Sequence, residues 1–408
     1  MSSSVDLLIV GASARAAAYS ALRARLRPWC ADLFGDVDLR SRCPVHAVQP
    51  GNYPWGLLSA VRQAPVAPLI YTGGLENRPA LVRELAEIHP LWGNGPDVLA
   101  VARSPITLAN VLRALKLPCP AVRLSEPEPS AERWLVKPLA GSGGAGIRFW
   151  TADSSKASAG VYFQEYIEGA PIAVTYIADG SQARVLGITR QLVGESWLHA
   201  APFHYCGSIG AIASSASRQA SLSGSLPPCG EGLGSGEARC SQSLSTELQR
   251  HGDALVRASG LRGLFGVDGM LRDGHFWPVE VNPRYTASVE VLEHALGAPL
   301  LEWHRRVFEG CGLMPPPFEV SPSKHVGKAI VFARRALEFP QDGPWLTSSR
   351  ELDSVWELPA FADIPAAGQK IAAGRPILTL FARSDSPTVC LDELRGKAAD
   401  LDRWLYRQ

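Results

Sequence analysis

The stretch "LVKPLAGSGGAGIRFW", Leu135 to Trp150, narrows the folds open to this chain more than any other. It sets Gly141, Gly143, Gly144 and Gly146 between two apolar runs, with Lys137 ahead of them. A phosphate loop of the Walker type needs its lysine after the glycines, at the start of a helix. Here no lysine follows, and "IRFW" reads as a strand. "GSGGAG" fits GxGxxG by letter but opens no helix, so it is no dinucleotide fingerprint. Two readings remain. One is a glycine-rich hairpin without a ligand. The other is a flap between antiparallel strands, whose backbone N–H groups approach phosphate oxygens while Lys137 reaches them from the strand below.

Two later stretches favour the flap. "FQEYIEG", Phe163 to Gly169, is a strand end that could offer Gln164, Glu165, Tyr166 and Ile167 to the edge of a purine. "GVDGMLRDGHFWPVEVNPR", Gly266 to Arg284, has the pattern of a β-hairpin with Asp273-Gly274 at its turn. Glu280 and Asn282 stand two apart on the returning strand, hence on one face, and Asp268 lies on the partner strand. Three oxygen ligands on adjacent strands suit Mg²⁺, which completes its octahedron with water and phosphate oxygens. Arg284, two residues further, points the same way and suits a phosphoryl or carboxylate group.

The remaining chain supplies the setting. A length of 408 residues, 46% of them hydrophobic, implies two or three domains. With 40 basic and 39 acidic residues, nothing argues for a nucleic-acid or membrane-surface partner. The eight cysteines show no CxxC spacing, which excludes common zinc and thioredoxin-type patterns and fits free thiols in a reducing cytosol. "MSSSVDLLIVGAS" lacks the basic start of a signal peptide. No apolar run approaches the ~20 residues of a membrane span. "VDLLIVGASARAAAYSALRAR" reads as strand, tight turn and helix, opening a parallel βαβ unit over residues 1–95. Its turn, "GASARA", lacks the second and third fingerprint glycines and reads as scaffold. Residues 207–245 are rich in Ser and Gly and poor in large apolar groups, and read as an insertion or a lid that orders over bound ligand. Residues 316–408, after a triple proline, read as a β-rich terminal module, leaving 96–315 as the central domain.

"KPLAGSGGAGI", "FQEYIEG" and "VDGM…VEVNPR", in that order and spacing, resemble the ATP-grasp superfamily of carboxylate–amine ligases. The resemblance implies an α/β and α+β multidomain chain: a Rossmann-like N-terminal domain, the ATP-grasp domain and a β-rich C-terminal part. It implies ATP and Mg²⁺ as cofactors, with Mn²⁺ as a substitute. Lys137 would contact the phosphates, and Gly141, Ser142, Gly143, Gly144 and Gly146 would cover them. Gln164 to Ile167 would frame the adenine. Asp268, Glu280 and Asn282 would hold the metal, and Arg284, with Lys137, would meet the transferring phosphoryl group. Two positions depart from the pattern. Arg103 stands in the region of the family's first nucleotide lysine. Where many members carry a ribose-binding Glu the chain reads "PIAV", which leaves Glu168 as the substitute. Arg190, His204, Tyr205, Ser288 and Glu290 are candidates to face the acceptor. "VNPRYTASVEVLE" and "ADIPAAGQKIAAGRPILTLFA" resemble a narrower group near tyramine–glutamate ligase and ATP-grasp proteins of tetrahydromethanopterin-linked one-carbon metabolism. The implied partners are a small-molecule carboxylate and amine, with a homodimer as the assembly considered. The alternatives are a small-molecule kinase and a nucleotide-binding regulator without turnover.

Overall fold

The computed structural model describes residues 4–128, 132–152, 159–212, 236–311, 324–346 and 354–407. In the N-terminal unit, the buried run Leu7–Val10 forms the middle of a parallel sheet. Its strands are β1 (Leu7–Gly11), β2 (Pro28–Asp32), β3 (Val45–Ala47) and β4 (Leu69–Tyr71), in the order β3-β2-β1-β4. The turn after β1 is filled from within. Ala14 N–H donates to Asp32 Oδ2 at 2.6 Å, and the buried Arg15 side chain bonds Glu290 and Asp363.

Four short strands carry the glycine loop: β5 (Val122–Arg123), β6 (Trp134–Pro138), β7 (Arg148–Phe149) and β8 (Val161–Glu165), in the antiparallel order β5-β8-β6-β7. The loop is the β6–β7 connection, with Leu135 opposite Phe149.

An eight-stranded sheet forms the centre. It is built from β9 (Ala170–Asp179), β10 (Ala183–Val193), β11 (Tyr205–Gly210), β12 (Arg262–Arg272), β13 (His275–Asn282), β14 (His325–Phe332), β16 (Phe361–Ala362) and β18 (Pro376–Ser384). Its order is β13-β12-β9-β10-β11-β14-β18-β16, and β15 (Leu337–Glu338) pairs separately with β17 (Lys370–Ile371). The β12–β13 hairpin turns at Asp273 and Gly274, whose φ values of 52° and 78° are those of a type I′ turn. Asp268 faces Glu280 across the ladder. The helix Gly236–Ser259 covers one face of this sheet through Leu244, Leu248, Leu255 and Val256.

Two expected boundaries change. The C-terminal stretch is not a separate sheet, because β14 pairs with β11 and carries β18 into the central sheet. The Pro387–Leu405 helix then packs its Cys390, Leu394 and Leu401 on those strands. The expected 207–245 insertion is shorter. Its first residues complete β11, held between β10 and β14, and its last ten belong to the Gly236–Ser259 helix. Residues 213–235 lie outside the described residues.

Candidate functional site

A cavity of about 930 Å³ opens between the glycine-loop sheet and the central sheet. Its roof is the loop. Gly143, Gly144 and Gly146 have φ of 61°, 83° and 79°, a region L side chains rarely enter. A Cβ on Gly144 would stand 1.9 Å from the carbonyl oxygen of Phe203. Tyr205 N–H donates to Gly143 O at 3.1 Å, so the loop lies closed on the β10–β11 connection.

Under the loop, Lys137 is 6% exposed. Its Nζ donates to Gln164 Oε1 at 3.0 Å and reaches Val279 O at 3.4 Å, both neutral acceptors. Among the described residues no carboxylate pairs with it. A buried ammonium with neutral partners is costly unless an anion completes its shell.

Opposite stand Asp268 and Glu280. Gln191 Nε2 and Asn282 Nδ2 donate to Asp268 at 2.9 and 2.8 Å. Burial, and then the neighbouring Glu280 charge, push the Asp268 carboxyl up to about 7. Two carboxylates so placed call for a cation between them. Among the described residues no three His, Cys, Asp or Glu side chains cluster tightly enough to hold a metal unaided. Two carboxylates and an amide fit a hard cation that arrives with oxygen ligands of its own, such as phosphate oxygens.

Arg284 donates to Asn282 Oδ1 at 3.2 Å and pairs with the buried Glu76 at 2.8 Å. Burial alone would raise Glu76, but Arg284, joined by Arg103 and a backbone hydrogen bond, holds the carboxyl below its usual value. Arg284 Nε and Thr286 Oγ1 are buried without a hydrogen-bond partner. Arg103 donates to Glu280 Oε1 at 2.6 Å, to Val281 O at 2.9 Å and to Gly141 O at 3.2 Å.

The outer end of the cavity is apolar. Glu165, Tyr166 and Ile167 line it with Leu135, Phe149 and Met270. The Arg133 guanidinium lies 4.2 Å from the Phe149 ring centre and 4.5 Å from that of Tyr166. Such a slot accommodates a flat aromatic ring.

Ser142, Tyr205 and Ser288 also line the cavity. Ser288 bonds Thr189 at 3.0 Å, and Tyr205 O–H bonds Ser208 at 2.9 Å. Glu168 is exposed beside the slot. Three acceptor candidates are not brought to the cavity. Arg190 alternates with Thr189 and Gln191 on β10 and so points to the other face of the sheet. The His204 ring lies 6.3 Å from Phe332, while its backbone closes the turn with Gly194 and Ala201. Glu290 is sealed behind the sheet, bound by Arg15 at 2.6 and 2.8 Å and by Lys328 at 2.8 Å. Sequence reasoning missed Gln191, Arg133, Phe149, Phe203, Glu76 and Asn77. Only the last two carried a signal: polar residues following the glycines at a parallel-strand end, in "TGGLEN".

Residues 103–223 match the ATP-grasp domain family. The carbamoyl phosphate synthase large chain of Rhizobium meliloti (strain 1021) is 37% identical over 86 residues, 19% of this chain and 7% of that protein. The first such relatives are spanned over only 7% to 13% of their length. Among solved structures, the L-amino acid ligase from Bacillus licheniformis superposes with a TM-score of 0.66 at 15% identity, over 98% of both chains. The biotin carboxylase domain of Hydrogenobacter thermophilus 2-oxoglutarate carboxylase, solved with MgADP, gives 0.67 at 12% identity, over 97% of this chain and 90% of that one. The chain has the ATP-grasp fold, and the domain match with these likenesses supports membership of that superfamily.

Proposed function

We propose that this chain, an ATP-grasp protein by fold, is an ATP-dependent carboxylate–amine ligase. The observation that carries the reading is Lys137: a buried cation with no carboxylate partner among the described residues, under a glycine loop, across the cavity from the Asp268–Glu280 pair. One face asks for anions and the other for a cation, and a nucleotide polyphosphate with Mg²⁺ supplies both. The carboxylase domain solved with MgADP supports this occupant. Asp268, Glu280 and Asn282 would hold the Mg²⁺, which neutralises phosphate charge when bound. The glycine loop and Lys137 grip the phosphates, and the Gln164–Ile167 segment meets the adenine edge. Glu168 is the ribose candidate.

In the first step an oxygen of the substrate carboxylate attacks the γ-phosphorus and the bond to ADP breaks, leaving an acyl phosphate. In the second the amine nitrogen attacks the acyl carbon. The C–O bond to phosphate breaks, inorganic phosphate leaves with the electron pair, and the nitrogen gives up a proton. Arg284 and Lys137 place fixed positive charge where negative charge accumulates. Thr286 and Ser288 line the acceptor end. The finer reading is glutamate ligation in the biosynthesis of a methanofuran- or tetrahydromethanopterin-type carrier, in the cytoplasm, with a homodimer as the assembly considered. The pathway reading is supported by the "VNPRYTASVEVLE" and "ADIPAAGQKIAAGRPILTLFA" motifs alone.

Incubation with ATP, Mg²⁺, glutamate and a panel of amines tests the proposal. Equal amounts of ADP, phosphate and amide are expected. A phosphorylated acid without free phosphate identifies a kinase, and nucleotide binding without turnover a regulator. Lys137→Ala should weaken ATP about ten- to a hundredfold, the range for losing a hydrogen bond to a charged group. Adenosine affinity should stay unchanged. Unaltered ATP affinity would remove Lys137 from the phosphate site.

A further inference from the structure

The glycine loop is held shut by bonds from separate parts of the molecule. Tyr205 N–H reaches Gly143 O from the central sheet. At the loop's other end, Gly141 O accepts from Arg103 Nη2 at 3.2 Å and from Asn77 Nδ2 at 2.8 Å. Asn77 belongs to the N-terminal unit, which contributes no lining residue to the cavity. It ends a one-turn helix, Leu75–Asn77, that follows β4 through Gly73 and Gly74.

The same side chain makes a second bond. Asn77 Oδ1 accepts from Arg103 Nη2 at 3.0 Å, and the other Arg103 nitrogen donates to Glu280 Oε1. An amide suits this position because it accepts from a guanidinium with one atom and donates to a carbonyl with the other. An aspartate could keep the first bond but would turn an oxygen toward Gly141 O. The neighbouring residue reaches a second arginine, since Glu76 pairs with Arg284 at 2.8 Å. Gly73 lies so near that a Cβ there would stand 3.2 Å from the Arg284 guanidinium carbon. One turn therefore touches the loop and both cations flanking Glu280 and Asn282.

We propose that the Leu75–Asn77 turn is the positioning element of this site: Asn77 latches the glycine loop shut through Gly141 and Arg103, and Glu76 fixes the Arg284 guanidinium. Neither residue lines the cavity. The proposal rests on the nucleotide reading only for what the closed loop retains; the latch itself is a property of the free protein. Loop closure is thereby tied to docking of the N-terminal unit, so a loop that opens to admit ATP must break or stretch the Asn77 bond.

The test is hydrogen–deuterium exchange of the segment 139–150 in the full chain without nucleotide, in wild type, Asn77→Ala and Asn77→Asp. Both variants should exchange this segment about three- to tenfold faster, with exchange elsewhere and the melting temperature unchanged. Equal exchange in either variant overturns the latch. MgATP binding is then measured by calorimetry, with weakening of about five- to twentyfold expected in both, and kcat at saturating ATP within twofold of wild type. Faster exchange with unchanged affinity overturns the positioning role. Glu76→Gln should instead lower kcat tenfold or more at unchanged KM for ATP, and an unchanged kcat overturns its part. A wild type that binds no ATP sinks the nucleotide reading, while the exchange comparison still decides the latch.

Discussion

Two buried charge clusters flank the start of the Ala287–Leu296 helix, and they are built to opposite ends. Behind the sheet, Glu290 is bound by both Nη atoms of Arg15 and by Lys328, while Asp363 takes Arg15 Nε at 2.8 Å. Facing the cavity, Asp268 has amide donors and the Glu280 carboxylate as its neighbour. The two carboxyls shift in opposite directions. Burial would raise Glu290, but Arg15 and Lys328 hold it well below its usual value. Asp268 is pushed up to about 7. The closed cluster has satisfied its charges and serves to join three parts of the chain. The open one is incomplete and faces space, and incompleteness rather than charge marks a site.

The largest expected effect breaks the closed cluster. Glu290→Ala would leave Arg15 and Lys328 buried without their shared partner, which costs about 3–5 kcal/mol of stability. A denaturation curve measures it, and the protein that remains folded should bind ATP as wild type does. A loss under about 1 kcal/mol would mean that the cluster is not structural.

Next comes the open cluster. Glu280→Gln should lower kcat on the order of 100- to 1,000-fold, the scale of losing one preorganised electrostatic group. Its melting temperature should move by no more than about 2 °C. Wild-type turnover with Mg²⁺ would remove Glu280 from the metal site. A large loss of stability instead would make this cluster resemble the first.

The sequence distinguishes these clusters only partly. Glu280 and Asn282 were legible as a same-face pair because period two fixes their side of the strand, but counting back from the Asp273-Gly274 turn would set Asp268 against Val279, and only the bulge between Asp268 and Gly269 brings it opposite Glu280. The loop and Lys137 were legible because the glycines and flanking strands are local. Glu290 was not, because its helix position shows a charge but not its partners, and Arg15, Lys328 and Asp363 lie 275, 38 and 73 residues away. Arg190 was misplaced because alternation along β10 needs one anchored neighbour, and Gln191 supplied it only once the fold was known. Asn77 and Glu76 carry a local signal only as polar residues after the glycines of "TGGLEN"; their partners Gly141 and Arg284, across a domain boundary, are in no local pattern.

The smallest effect separates the clusters by pH. Without a cation, native Asp268 holds its proton up to about pH 7, whereas in the unfolded chain it loses it near pH 4. Between those values the native state binds more protons than the unfolded state, so stability falls as pH rises. The contribution is complete below about pH 4 and is lost as pH rises through 7. Glu290 behaves oppositely: its contribution is present above the ordinary carboxylate pKa and fades only as pH falls toward its lowered native value. Asp32 and Asp38, both pushed up to about 6, add a slope of the Asp268 sign in every variant. The informative quantity is therefore the difference from wild type. Melting temperature should fall less steeply from pH 5 to 7 in Asp268→Asn than in wild type. Glu290→Gln should keep the wild-type slope at a lower temperature throughout. Saturating Mg²⁺ with ADP should flatten the wild-type curve toward that of Asp268→Asn, since a bound cation keeps the carboxylate ionised. Parallel curves for wild type and Asp268→Asn would show that Asp268 is already neutralised by a partner, and the open cluster would be as closed as the other.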